Sequence, residues 1–190
     1  MKLLYCIRHG YSLHNKLFKQ IGEDAYRLPE CIDSYLLDEG VDGAMKLNTR
    51  ENCKLETAEL VLVSPLTRAL QTAEIVFTGI DKQINVMEIL KEWPNGLDTP
   101  NQRKRKSELE NRFKRFNFDA VCSEEDVTWN GDREETTEEL NMRINKFKNY
   151  VKQRKEEKIF VIGHTSFLSN MIWGEEREMK HCEIYECVID

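Results

Sequence analysis

No stretch of this chain of 190 residues approaches the length of a membrane-spanning helix. Met1-Lys2-Leu3-Leu4-Tyr5-Cys6 opens like a secretory leader, but its apolar run is too short and Arg8 interrupts it. Six cysteines are present without any C-x-x-C pair, so a disulfide scaffold is not expected and a reducing compartment fits better. No H-E-x-x-H occurs, and no acid sits at ligand spacing from a histidine, which disfavours zinc. No G-x-G-x-x-G follows the first apolar run, which disfavours a nicotinamide-binding domain. Repeats, low-complexity tracts and a clear linker are also missing. The net charge of −6 argues against non-specific nucleic-acid binding. A site for an anion must therefore be a local basic pocket. These absences point to a cytoplasmic protein with no membrane and no nucleic-acid partner.

What is present is a globular composition, 40% hydrophobic and 33% charged. At this length residues 1–190 are expected to form a single domain. Leu3 to Ile7 reads as a buried strand and ends in Arg8-His9-Gly10. Lys158 to Ile162 reads the same way and ends in Gly163-His164-Thr165-Ser166. Further strands are expected at Glu59 to Val63, Gln83 to Met87 and, at a sheet edge, Glu183 to Ile189. Leu13, Leu17 and Ile21 suggest a helix over roughly Ser12 to Arg27, and Gly40 to Leu47 suggests a shorter one. Ser64 has the character of an N-cap and Pro65 of a first helical residue, with Leu66, Ala69, Leu70, Ala73, Val76 and Phe77 on one face. Ala120 to Glu135 reads as an irregular excursion. Thr136 and Glu139 have capping-box spacing ahead of a helix marked by Leu140, Ile144, Phe147 and Val151. A last helix is expected from Ser166 to Trp173. Alternation of this kind favours a mostly parallel sheet with helices on both faces.

Two histidines at the carboxyl ends of two strands, each beside a glycine, mark an α/β sheet edge suited to chemistry. A neutral imidazole is a good nucleophile towards phosphorus, and nearby arginines would keep it neutral. Arg68 lies in the first turn of its helix, where a cation is unfavourable unless an anion sits beside it. Arg8 alone reads better as a surface ion pair. A leaving oxygen needs an acid; Glu88 and Glu92 both follow a strand, and spacing does not choose between them. His14 and His181 have no such context and read as ordinary residues.

Together these residues resemble the histidine phosphatase superfamily, the phosphoglycerate mutase-like family. Its first motif is matched by Arg8-His9-Gly10-Tyr11-Ser12-Leu13-His14-Asn15 and its second, unbroken, by Ser64-Pro65-Leu66-Thr67-Arg68-Ala69-Leu70-Gln71-Thr72-Ala73. Leu90-Lys91-Glu92 matches the third and Gly163-His164 the fourth. The resemblance implies a three-layer α/β/α sandwich with a mixed, mainly parallel sheet. It implies His9 as the nucleophile that becomes phosphohistidine. Arg8, Arg68, His164 and Asn15 would hold the phosphoryl oxygens, and Glu92, not Glu88, would give the leaving group its proton. No metal or cofactor is required; 2,3-bisphosphoglycerate would enter only for a mutase.

Four features depart from the family pattern or from its mutase subgroup. Thr165 stands where Gly or Ser is commoner, and Asp33 to Gly40 follows the family's Asp-x-Pro-Leu-Thr-x-x-Gly only loosely. The Trp of the glycolytic mutases' first motif is missing, as is their segment after the catalytic Glu. Leu97 to Leu109 instead resembles a phosphatase-like subgroup with a basic run before Ser-Glu, here Arg103-Lys104-Arg105-Lys106-Ser107-Glu108. Ser12, Arg103 and Lys104 are thus candidate substrate contacts, the basic run meeting a second anionic group, although a solvated loop is as good a reading and nuclear targeting ranks lower. The leading expectation is a metal-independent phosphatase acting on a phosphorylated small molecule, ahead of a phosphoprotein. A phosphoglycerate mutase is the alternative, and an idle phosphate-binding module ranks last because no motif residue is lost.

Overall fold

A computed structural model describes all 190 residues. Six strands form one sheet: β1 (Lys2–Arg8), β2 (Leu60–Val63), β3 (Ile84–Val86), β4 (Phe116–Asn117), β5 (Lys158–Gly163) and β6 (Ile184–Ile189). Their order is β4-β3-β2-β5-β1-β6. Every pairing is parallel except that of β6 with β1. The sheet is therefore mixed and mainly parallel.

Side chains alternate across it, as the pleat requires. Tyr5 and Ile7 of β1, Val61 and Val63 of β2, and Phe160 and Ile162 of β5 enter one apolar cluster. Leu4 and Cys6, Leu60 and Leu62, and Ile159 and Val161 enter the other. The first cluster is closed by α2 (Asp38–Glu56) through Ala44, Leu47 and Leu55, and by α3 (Thr67–Val76) through Ala69, Leu70, Ala73 and Val76. The second is closed by α5 (Thr137–Lys152) and α6 (Thr165–Trp173). Both sheet faces are thus covered, giving three layers. The remaining helices, α1 (Leu13–Ile21) and α4 (Lys106–Arg112), are short.

Three elements differ from expectation. The first helix ends at Ile21 and continues only as a 3₁₀ turn over Gly22–Arg27. Helix α2 is far longer than Gly40 to Leu47; the apolar period that marks it in the sequence fades beyond Leu47, where only Leu55 is buried. Ser64 does not cap α3, and Pro65 is not its first residue; the helix begins at Thr67. Its cap comes from far away in sequence. Asp33 accepts from Thr67 N at 2.6 Å and from Thr67 Oγ1 at 2.7 Å. Asp33 has φ 44°, a left-handed conformation that Asp tolerates better than most residues. The capping box on α5 forms as expected: Thr136 Oγ1 accepts from Glu139 N at 3.2 Å, and Glu139 Oε2 accepts from Thr136 N at 2.9 Å. No helix is long and apolar enough to cross a membrane.

Candidate active site

The register of β1 with β5 sets Arg8 opposite Gly163, so the residues that follow, His9 and His164, emerge side by side. The backbone N of His9 donates to the Gly163 carbonyl at 3.0 Å. The two rings lie 5.1 Å apart, centroid to centroid. Gly10 is needed for close approach: a Cβ there would sit 2.6 Å from the Gly40 carbonyl oxygen. The loop is tied to α3 by Thr72, whose Oγ1 accepts from Gly10 N at 2.9 Å and donates to the Arg68 carbonyl at 2.7 Å.

Hydrogen bonding sets the state of the His9 ring. Nδ1 faces the Gly10 carbonyl at 2.7 Å, which can only accept, so Nδ1 carries the proton. Nε2 then holds a lone pair, and it accepts from Arg68 Nε at 3.2 Å. Burial, and next the Arg68 guanidinium, hold the His9 pKa well below the usual imidazole value. The result is a neutral imidazole with its free nitrogen beside a guanidinium.

Arg68 is itself buried; its other nitrogens donate to the Pro100 carbonyl at 2.5 Å and to Asn101 Oδ1 at 3.0 Å. Arg8 donates to the Met179 carbonyl at 2.5 Å, while its buried Nε has no partner. Fully buried His164 bonds Ser64 Oγ through Nε2 at 2.7 Å, and its Nδ1 is unpartnered. Unsatisfied buried polar atoms beside a nucleophile are what an anion-binding floor requires before its anion arrives.

Glu92 reaches the amino end of α6. Its Oε1 accepts from Trp93 N at 2.8 Å and Phe167 N at 3.0 Å, and its Oε2 accepts from Ser166 N at 3.2 Å. Burial nevertheless pushes its pKa up, against these donors. Arg143 of α5 braces the segment by donating to the Ile89 carbonyl at 3.0 Å and the Lys91 carbonyl at 2.5 Å. Glu88 points to a different task, an ion pair with Arg103.

A cleft of about 750 Å³ is lined by Arg8, His9, Asn15, Arg68 and Glu92 among others, within the usual range for small-molecule sites. Ser12, Arg103 and Lys104 are not among its walls, nor is His164, whose ring lies against that of His9. Ser12 is fully buried at the start of α1, its N and Oγ donating to Asn15 Oδ1 at 3.1 and 2.7 Å. Arg103 is buried, and its guanidinium is used up by Glu88 and the carbonyls of Ser123, Lys104, Glu124 and Glu125. It anchors the irregular excursion instead of meeting a second substrate anion. Buried Lys91 holds the same excursion through Asp126 at 2.5 Å. Lys104 is exposed, and its backbone N donates to Asp33 Oδ2 at 3.1 Å.

Two residues read as ordinary in the sequence belong to the site's surroundings. The His14 ring is 5.8 Å from that of His9, and the His181 ring is 5.5 Å away. Asn15 Nδ2 donates to His14 Nε2 at 3.0 Å, leaving His14 Nδ1 to donate to Ser34 Oγ at 2.6 Å. His181 Nδ1 donates to the His9 carbonyl at 2.7 Å. His14 had a signal, its place beside Asn15 in the first motif. His181 had none, since only β6 pairing with β1 brings it near.

Among curated proteins, phosphoglycerate mutase-like protein 1 of Arabidopsis thaliana is 29% identical over 207 aligned positions, covering 93% of this chain and 73% of that protein. The alpha-ribazole phosphatase of Shigella flexneri superposes with a TM-score of 0.64 at 20% identity, covering 97% of this chain and 89% of its own. The phosphoserine phosphatase of Entamoeba histolytica, solved with 3-phosphoglyceric acid, gives 0.62 at 19% identity, covering 98% and 90%. At such identities these two structures establish the fold. The sequence profile of the histidine phosphatase superfamily, branch 1, matches residues 4–180. A fold, four ordered motifs and a profile match that agree over nearly the whole chain make it a member of the histidine phosphatase superfamily.

Proposed function

We propose that the protein, with residues 1–190 acting as one domain, is a metal-independent phosphatase that hydrolyses a small phosphomonoester through a phosphohistidine on His9. The observation that carries this reading is the fixed tautomer of His9: Nδ1–H on the Gly10 carbonyl, and the Nε2 lone pair beside Arg68. In the first step Nε2 attacks phosphorus, an N–P bond forms and the P–O bond to the alcohol breaks. Glu92, protonated, gives its proton to the leaving oxygen. In the second step Glu92, now a carboxylate, takes a proton from water as that water attacks phosphorus and the N–P bond breaks. Arg8, Arg68, His164 and Asn15 hold the equatorial oxygens, where developing charge is best stabilised by donors already in place. The phosphatase neighbours of the same fold are consistent with hydrolysis.

The test is a brief incubation with radiolabelled phosphomonoester followed by denaturation at alkaline pH, which preserves phosphohistidine. Wild type should carry acid-labile label on His9, and His9→Ala should carry none and lose at least about a thousandfold in kcat. Turnover retained by His9→Ala would remove the imidazole from the mechanism. A parallel assay of 3-phosphoglycerate, with and without 2,3-bisphosphoglycerate, should release phosphate without forming 2-phosphoglycerate. Rapid isomerisation would make the protein a mutase.

A further inference from the structure

The floor and the mouth of the cleft have opposite charge. On the floor are Arg8, whose buried Nε has no partner, and Arg68. Around them stand Glu23, Asp24, Asp98, Glu134, Glu176 and Glu178. Only one further cation, Arg27, lines the cleft, at 3.4 Å from Asp98 and 3.5 Å from Glu134. With Glu92 counted as a neutral acid, six carboxylates face three guanidiniums. The crowding is felt at Asp98, which burial first, and then Glu134 and Glu23 against the opposing Arg27, push up to about 6. Glu176 bonds Ser166 Oγ at 2.7 Å, whereas Glu23, Asp24 and Glu178 have no cationic partner. The basic run that could have received a second anion does not line the cleft, and its Arg103 is buried in an ion pair with Glu88.

From this juxtaposition we propose that the substrate is a phosphomonoester of a cationic alcohol, its phosphate on the arginine floor and an ammonium-type tail against the acidic mouth. The inference rests on the phosphatase reading above and specifies what it acts on. A dianionic phosphate alone must pass six carboxylates to reach the floor. A zwitterionic ester exchanges that repulsion for attraction at its tail. Tyr26 and Trp93 add aromatic surface to the same walls, which suits a quaternary ammonium. A second carboxylate or phosphate on the substrate would meet the mouth with like charge.

The experiment compares esters matched in shape and differing in charge, at two tail lengths. Phosphocholine is set against 3,3-dimethylbutyl phosphate, and 6-aminohexyl phosphate against hexyl phosphate, all in EDTA. Affinities are measured by calorimetry on His9→Ala, and kcat/KM on wild type. At one length or both, the cationic ester should be favoured about tenfold in affinity and in kcat/KM. The preference should shrink several-fold in Glu23→Gln/Asp24→Asn and at high salt. Asp42→Asn/Asp81→Asn, which removes equal charge away from the cleft, should keep it. Equal or weaker binding of the cationic esters at both lengths overturns the proposal, as does a preference that appears only when magnesium is added. Binding on His9→Ala decides the matter independently of turnover. Wild type that hydrolyses neither these esters nor para-nitrophenyl phosphate would overturn the phosphatase reading instead.

Discussion

At the residue scale, two groups are tuned in complementary directions. His9 is lowered well below its usual value by burial and then by Arg68, while Glu92 is raised by burial. A buried base thus stays neutral and a buried acid keeps its proton to higher pH, the pairing that attack and leaving-group protonation require. The sign gives a prediction. Deprotonating Glu92 removes the proton donor, so kcat/KM for an alkyl phosphate should fall as pH rises through the raised Glu92 value. Para-nitrophenyl phosphate, whose leaving group departs unprotonated, should lack this alkaline limb. Glu92→Gln should slow the alkyl ester about a hundredfold or more and the nitrophenyl ester far less. Parallel pH profiles for the two esters in wild type would exclude Glu92 as the acid. The choice of Glu92 over Glu88 shows what a sequence leaves open. Spacing leaves both open and the family motif points to Glu92; in the fold Glu92 meets the α6 amides while Glu88 pairs with Arg103.

At the scale of elements, strands were easier to read than helix boundaries. Strands β1, β2 and β5 are apolar on both faces because helices cover both, and such runs stand out in a sequence. The start of α3 was hidden because its cap comes from Asp33 and not from the adjacent Ser64. Ser64 is engaged by His164. Likewise Gln71 and Thr72 of the second motif are spent on the Leu36 amide at 2.8 Å and the Gly10 amide at 2.9 Å, contacts no periodicity announces. Arg103 misled for the same reason: a basic run looks solvated until one member is needed to tether the irregular excursion. The Asp33 cap is testable. Asp33→Ala should cost about 1–2 kcal/mol in urea unfolding and lower kcat, since Arg68 sits in the turn the carboxylate holds. Asp33→Asn keeps an acceptor and tolerates the left-handed backbone, so it should recover much of both losses. An alanine variant as stable and active as wild type would show the cap to be dispensable.

At the scale of the whole molecule, all four histidines gather around one point. His9, His14 and His164 lie well below the ordinary value through burial and then Arg68, and His181 is lowered to about 4 by burial and then Arg8. In the unfolded chain each titrates near 6.5. Below that value the unfolded state binds more protons than the native one, so stability is lost as pH falls. Each histidine contributes up to about 1.4 kcal/mol per pH unit in that window. Carboxyls raised by burial, Asp98 to about 6 among them, act in the opposite sense, mostly at lower pH. The urea midpoint should therefore drop between about pH 7.5 and pH 6. A level or rising midpoint would mean that the imidazoles are not neutral in the folded protein.

The position of β5 between β2 and β1 also bears on the protein's birth. During synthesis the nucleophile's strand leaves the ribosome before the other strands of the sheet, yet the neighbour that joins it to them is made some 150 residues later. Until then an apolar ribbon waits with both edges open, the kind of nascent segment that molecular chaperones shield.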